Sequence, residues 1–217
     1  MIALKKSRQQ RRTQVTRKKL MEAARQVFAE KGLDLTNVGD ITERADVGKG
    51  TFYYHFQTKE KLIRELIRIL LAQLSSDLRR ECEDITDLGL LLNRLISVHI
   101  AFFSNRWEDF VLFYQGRADL TLEQGYAGIE TTFIEYLKTI ENLIAEVIHQ
   151  PLSDAALRRI ACAVAGFVSG YYSFAVIAAP EDEVGNALVP MQQALVTGLV
   201  RFIATATQQE ISSGGNG

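Results

Sequence analysis

The stretch that decides the fold is Thr36 to Phe56, TNVGDITERADVGKGTFYYHF. Val38, Ile41 and Ala45 share one helical face, so its first half predicts a short helix, with Thr36 as the N-cap. Asp46-Val47-Gly48 interrupts that pattern. A second short helix then runs over roughly Lys49 to His55 and breaks at Phe56-Gln57. Phe52 and Phe56 lie four apart and point to the core with Val47, which turns the residues between them outward. Two short helices joined by a tight turn make a helix-turn-helix, whose second helix lies in the DNA major groove while the first crosses the backbone. Groove readout needs donors and acceptors on a slim helix. Lys49, Thr51, Tyr53, Tyr54 and His55 supply them, and Gly50 removes bulk where the backbone would pass the DNA.

On the amino-terminal side, Leu20, Ala24, Val27 and Phe28 repeat at i, i+4, i+7 and i+8. This predicts a first helix from Thr13 or Thr16 to a left-handed stop at Gly32. Residues 1–13 are expected as a flexible basic arm, and 14–60 as the helix-turn-helix domain. Residues 1–19 carry Lys5, Lys6, Arg8, Arg11, Arg12, Arg17, Lys18 and Lys19 and no acid. Such an arm could follow the minor groove or be idle; each phosphate it neutralises would add about 0.9 to the salt slope of log K.

The net charge of −1 conceals a division of labour. Residues 1–68 hold 16 Lys and Arg against 8 Asp and Glu, whereas 69–217 hold 9 against 18. That asymmetry suggests a polyanion-binding module joined to a part with another task.

The chain is expected to be all-α, with about nine helices and few strand signals. Thr58 can cap a fourth helix burying Leu62, Leu66, Ile69 and Leu70. Further helices are expected at about 87–104, 107–118, 122–149, 153–178 and 184–208. Ser153 is a good N-cap, and Pro190 marks a start or a kink in the last helix. Residues 61–208 form the expected second domain, and 209–217 a disordered tail.

Cys82 and Cys162 lack metal-ligand spacing and suit reduced thiols in a cytoplasmic protein. Between Arg159 and Glu181 the chain has 21 uncharged residues, enough to span a bilayer. Gly166, Ser169, Gly170, Tyr171, Tyr172 and Ser173 within it favour a buried helix instead, and no membrane partner is expected. No HExxH, P-loop, GxSxG or GxGxxG motif occurs, so neither an enzyme nor a cofactor or metal site is expected.

The run from Thr16 to Leu66, TRKKLMEAARQVFAEKGLDLTNVGDITERADVGKGTFYYHFQTKEKLIREL, resembles the N-terminal domain of the tetracycline-repressor (TetR) family. Its most specific part is Gly50-Thr-Phe-Tyr-Tyr-His-Phe56 followed by Lys59-Glu-Lys-Leu62. The resemblance implies Thr36 near a phosphate and Lys49, Gly50, Thr51, Tyr54 and His55 at groove positions. It also implies backbone contacts from Thr51, Tyr53 and Lys59. Two departures stand out: Asp46 occupies a turn position that usually carries Gly, and Gly48 replaces a Ser or Thr cap.

The resemblance further implies a C-terminal domain that binds a small molecule and dimerises through its last two helices. Ala161, Ala165 and Ser169, with Gly166 and Gly170 beside them, let a neighbouring helix approach closely; Leu195, Gly198, Leu199 and Phe202 extend the expected interface. A middle rich in aromatics offers a pocket for a hydrophobic or aromatic effector: His99, Phe103, Trp107, Phe110, Phe113, Tyr114, Phe133, Tyr136, Phe167 and Tyr171, with Arg117 and Gln115 as further polar groups. The expected function is a homodimeric, ligand-responsive repressor on a palindromic double-stranded operator. An activator or a helical protein-binding adaptor remains an alternative.

Overall fold

A computed structural model describes residues 8–104, 106–118, 128–148, 152–178 and 181–214, with side chains described over 8–104, 106–116, 128–148, 152–171 and 189–206. Among the described residues there are nine helices and no strand. They are α1 (Arg8–Lys31), α2 (Val38–Arg44), α3 (Lys49–Phe56), α4 (Lys59–Cys82), α5 (Leu88–Phe103), α6 (Trp107–Ala118), α7 (Ile129–Val147), α8 (Asp154–Ala178) and α9 (Glu181–Gly214).

The chain divides into two compact units, the first made of Met1–Leu70 and Arg106–Thr132, the second of Leu71–Asn105 and Phe133–Gly217. The division therefore does not fall at the expected boundary near residue 60. Helix α6 packs with the helix-turn-helix, because its Phe110, Val111, Leu112 and Phe113 are buried and two polar ties hold it to α1 and the turn after it. Arg25 of α1 meets Asp109 at 2.5 Å, and the Gln115 side-chain oxygen accepts the Leu33 N–H at 2.8 Å.

In the first unit α1 buries Leu20, Ala23, Ala24, Val27 and Phe28, the amphipathic stripe its sequence predicts. It starts at Arg8, however, so residues 8–13 are helical and not a flexible arm. No Gly or Pro interrupts them, Arg and Gln are good helix formers, and the Thr13 hydroxyl donates back to the Gln9 carbonyl instead of capping a new start. The remaining arm, including Lys5 and Lys6, lies outside the described residues. Gly32 closes α1 at φ 81°, as expected of a left-handed stop.

Helix α4 buries Leu62, Ile63, Leu66 and Ile67 in the first unit, while Ile69, expected inside, is exposed. In the second unit α8 buries Ile160, Ala161, Val164, Ala165 and Val168. The Gln192 amide of α9 donates to the Asn93 carbonyl (3.2 Å) and to Ser97 Oγ (3.2 Å) on α5. Ser153 precedes α8 as its cap, its hydroxyl accepting the Ala156 N–H at 3.4 Å. Helix α9 runs through Pro190 and on to Gly214, beyond the expected end at 208. Of the expected helix 122–149, residues 122–127 lie outside the described residues. Among the described residues no single helix is long and apolar enough to cross a membrane.

Candidate nucleic-acid interface

The interface is assembled around α3, eight residues held by two aromatic anchors. Phe52 and Phe56 are buried, their ring centroids 5.7 Å apart, as the spacing predicts. Between and before them Lys49, Gly50, Tyr53 and Tyr54 are exposed, the two tyrosines at 51% and 76%. Thr51 and His55 are half-buried. A Cβ at Gly48 or Gly50 would meet nothing within 4 Å, so neither glycine is required by packing inside the chain. That fits a surface which leaves room for something outside it.

The turn before α3 shows the strain its sequence implies. Asp46 sits at φ 51°, a left-handed conformation that a Cβ disfavours. Gly48 takes the N-cap place of α3 in an extended conformation and makes no side-chain cap. Burial, and secondarily the Arg17 charge, push the His55 imidazole below its ordinary pKa. That shift favours the neutral imidazole, which offers one donor and one acceptor.

Two expected contact residues are placed differently. Thr36 is only 2% exposed and its hydroxyl donates to the Gly32 carbonyl at 2.7 Å. The N-cap of α2 is Asn37, one residue later, in a reciprocal capping box with Asp40. The sequence reading put the cap at Thr36, whose hydroxyl instead satisfies the Gly32 carbonyl at the end of α1. Lys59 is likewise turned inward, its ammonium donating to the Leu33 and Thr36 carbonyls, both at 2.8 Å. It closes the α1–α2 turn with charge-assisted bonds and does not stand free at the surface.

The structure adds a residue that sequence reading did not single out. Arg17 lies 4.8 Å over the Phe56 ring and 2.5 Å from Glu65, bracing α1 against the end of α3 and against α4. Its partners are 39 and 48 positions away, so no local pattern reveals it. Lys31–Asp40 (2.7 Å) and the forked Arg44–Glu30 pair (2.9 and 2.7 Å) fix α2 on α1.

The expected effector residues fall in both units. Trp107, Phe110, Phe113 and Tyr114 belong to the first unit, where Trp107 and Tyr114 are exposed and the two phenylalanines are core. His99, Phe103, Phe133 and Tyr136 are buried in the second unit, and Phe167 and Tyr171 are half-buried there, stacked at 6.5 Å. Gln115 is engaged by Leu33, and the Arg117 side chain lies outside the described residues. His99 sits in a polar chain. Its Nδ1–H must donate to the Leu95 carbonyl (2.6 Å), because a carbonyl only accepts. Its Nε2 therefore accepts the Tyr136 O–H at 2.6 Å. Burial pushes the imidazole down to about 4. A cleft of about 510 Å³ opens elsewhere in this unit, lined by Arg79, Cys82, Asp84, Thr139, Asn142 and Glu146 among others. None of the expected effector residues lines it.

The expected dimer residues also divide. Ala161, Ala165, Ser169 and Leu199 are buried within the chain. Leu195 is half-buried, while Gly198 and Phe202 are exposed, with Met191 exposed on the same helix. Among the described residues no group of His, Cys, Asp and Glu is arranged to hold a metal ion.

Residues 20–66 match the model of the family described as bacterial regulatory proteins, tetR family. The HTH-type transcriptional regulator YvdT of Bacillus subtilis (strain 168), itself uncharacterized, is 28% identical over 130 residues, 60% of this chain and 66% of YvdT. The HTH-type transcriptional repressor KstR2 of Mycobacterium tuberculosis is 44% identical over 52 residues, 24% of this chain and 26% of KstR2. The matched stretches thus span less than two thirds of either relative. Over the longer range the fold is similar to that of the transcriptional regulator FadR from Bacillus subtilis in complex with stearoyl-CoA. That likeness has a TM-score of 0.60 at 19% identity and covers 85% of this chain and 95% of FadR. Residues 20–66 thus match the N-terminal domain of the tetR family of bacterial regulatory proteins, and over the longer range the fold is similar to that of a solved transcriptional regulator.

Proposed function

We propose that this chain is a homodimeric, ligand-responsive transcriptional repressor that leaves a palindromic operator when a small hydrophobic or aromatic effector binds. The observation that carries this reading is α3, whose buried Phe52 and Phe56 hold a polar, sterically open face between them. On that face Lys49, Gly50, Thr51, Tyr54 and His55 meet base edges and Tyr53 a phosphate. Thr36 and Lys59 act indirectly, by holding the turn that precedes α2. The protein works in the cytoplasm, where DNA is its partner.

Dimerisation uses the outer side of the last two helices. Gly166 and Gly170 on α8 have open space at their Cβ positions, and Phe202 and Met191 on α9 expose apolar surface. The effector site lies in the second unit near His99, Phe103, Phe133 and Tyr136. The likeness to a FadR structure holding stearoyl-CoA supports an apolar ligand. Dimer symmetry would appear in the DNA as two half-sites about 34 Å apart.

The test is selection from random duplex DNA with the full chain, followed by sedimentation of the complex. A palindrome bound by two chains is expected. Recovery of unrelated sequences, or of a complex holding one chain, would sink the reading. Tyr54→Ala and Lys49→Ala should each weaken binding to the selected duplex by about 10-fold or more, in line with the ~1–3 kcal/mol of a base contact. A protein-binding adaptor would tolerate both.

A further inference from the structure

The helical start of α1 places its basic residues in register. Arg8, Arg11, Arg12, Val15, Lys18 and Lys19 fall at i, i+3, i+4, i+7, i+10 and i+11, one stripe of a helix. Every one of them is exposed, on a face of the helix beside the buried one of Leu20, Ala23, Ala24 and Val27. Arg8, Arg11, Arg12 and Lys18 make no ion pair among the described residues, and Lys19 reaches Asp46 only at 4.0 Å. The first turn of α1 contains no acid. Cations at a helix amino end oppose the macrodipole, so this arrangement costs the isolated helix stability, and an external anion would offset that cost.

The stripe also begins at the recognition helix. Lys19 reaches Asp46 in the turn before α3, and its neighbour Arg17 lies 4.8 Å over Phe56 at the end of α3. From Lys19 back to Arg8 the helix extends about 16 Å at 1.5 Å per residue. That matches about five base pairs at a rise of 3.4 Å.

We infer that the exposed stripe of α1 is a second DNA surface, which binds the phosphate backbone flanking the bases read by α3. It acts as a rigid charged helix and supplies affinity without base selectivity. This inference rests on the DNA-binding reading of α3 and adds to it the reach of the contact. Arg8, Arg11 and Arg12 are the residues that carry it, having no ion pair among the described residues and lying farthest from α3 along α1.

The test compares the full-length wild type with R8Q/R11Q/R12Q, a change that keeps helix propensity. Binding is measured between 50 and 200 mM salt on the selected duplex, once with ten extra base pairs on each side and once trimmed to the selected bases. On the flanked duplex the salt slope of the variant should fall by about 0.9 for each phosphate it no longer neutralises, with wild type and variant converging on the trimmed one. Adding Q9R/Q10R to the variant returns positive charge to other faces of the helix and should not restore the slope. Equal slopes on the flanked duplex would overturn the inference, as would full rescue by Q9R/Q10R, which would mean an unoriented charged tail. If selection recovers no sequence, the proposed function fails. The slopes are then read on a mixed-sequence 40-base-pair duplex, where the same difference upholds the stripe and equal slopes reject it.

Discussion

The Lys59 ammonium donates to the Thr36 carbonyl at 2.8 Å and to the Leu33 carbonyl at the same distance, tying the start of α4 to the turn that launches α2. A lysine that the family resemblance would set against the DNA backbone thus acts from inside. Lys59→Met should cost about 1–3 kcal/mol of stability, since two carbonyls are left without a charged donor. Urea unfolding checks the cost. The salt slope of DNA binding should stay at the wild-type value; a fall of about 0.9 would show a direct phosphate contact instead.

Neighbouring residues of α3 should respond in opposite ways. Phe52→Ala removes a buried ring and should destabilise by about 3–5 kcal/mol. Tyr54→Ala removes an exposed ring and should stay within about 0.5 kcal/mol of wild type. Thermal unfolding of the two variants side by side decides whether α3 has one buried and one free face.

At the turn before α3, Asp46 holds φ 51° with its side chain almost fully exposed. Asp46→Gly should stabilise the fold by up to about 1 kcal/mol, the cost of left-handed backbone for a residue with a Cβ. Its distant contact with Lys19 offsets little, because exposed ion pairs contribute little. A lower midpoint for this variant would count against strain at the turn.

The buried His99–Tyr136 pair makes stability depend on pH. The native imidazole is pushed down to about 4 while the unfolded one keeps its ordinary value of 6.5. The native state therefore binds fewer protons between these values. Stability present above 6.5 is lost as pH falls toward about 4. His99→Asn should flatten that part of the pH–stability curve. Tyr136→Phe leaves Nε2 without its donor and should cost about 1–3 kcal/mol at neutral pH.

Asp109 shows the opposite sign. Its carboxyl is raised by burial, against the pull of Arg25 and Arg106. The native state holds that proton to higher pH than the unfolded chain does, so its contribution is largest at low pH and falls as pH rises through the native value. The midpoint of wild type minus that of Asp109→Asn should thus decrease as pH rises from the ordinary value of 3.8 through the raised native one. Asp109→Ala strands Arg25, whose Nε is already buried without a hydrogen-bond partner, and should cost about 3 kcal/mol. A neutral outcome for that variant would mean that α6 is not held to α1 by this pair.

What the sequence by itself determined is whatever rests on period and neighbours. The anchors Phe52 and Phe56 and the stop at Gly32 are local, and each is found where the pattern implied; Asp46 and Gly48 stood out only against the tetracycline-repressor resemblance. Tertiary structure decided where partners distant in the chain compete for one group. The Gly32 carbonyl took the Thr36 hydroxyl, the turn carbonyls took Lys59, and Gln115, 82 positions on, took the Leu33 N–H. Packing likewise turned Ala161, Ala165 and Ser169 inward and joined α6 to the helix-turn-helix unit. Periodicity names the face a residue is on; which neighbour covers that face depends on contacts that no local spacing encodes.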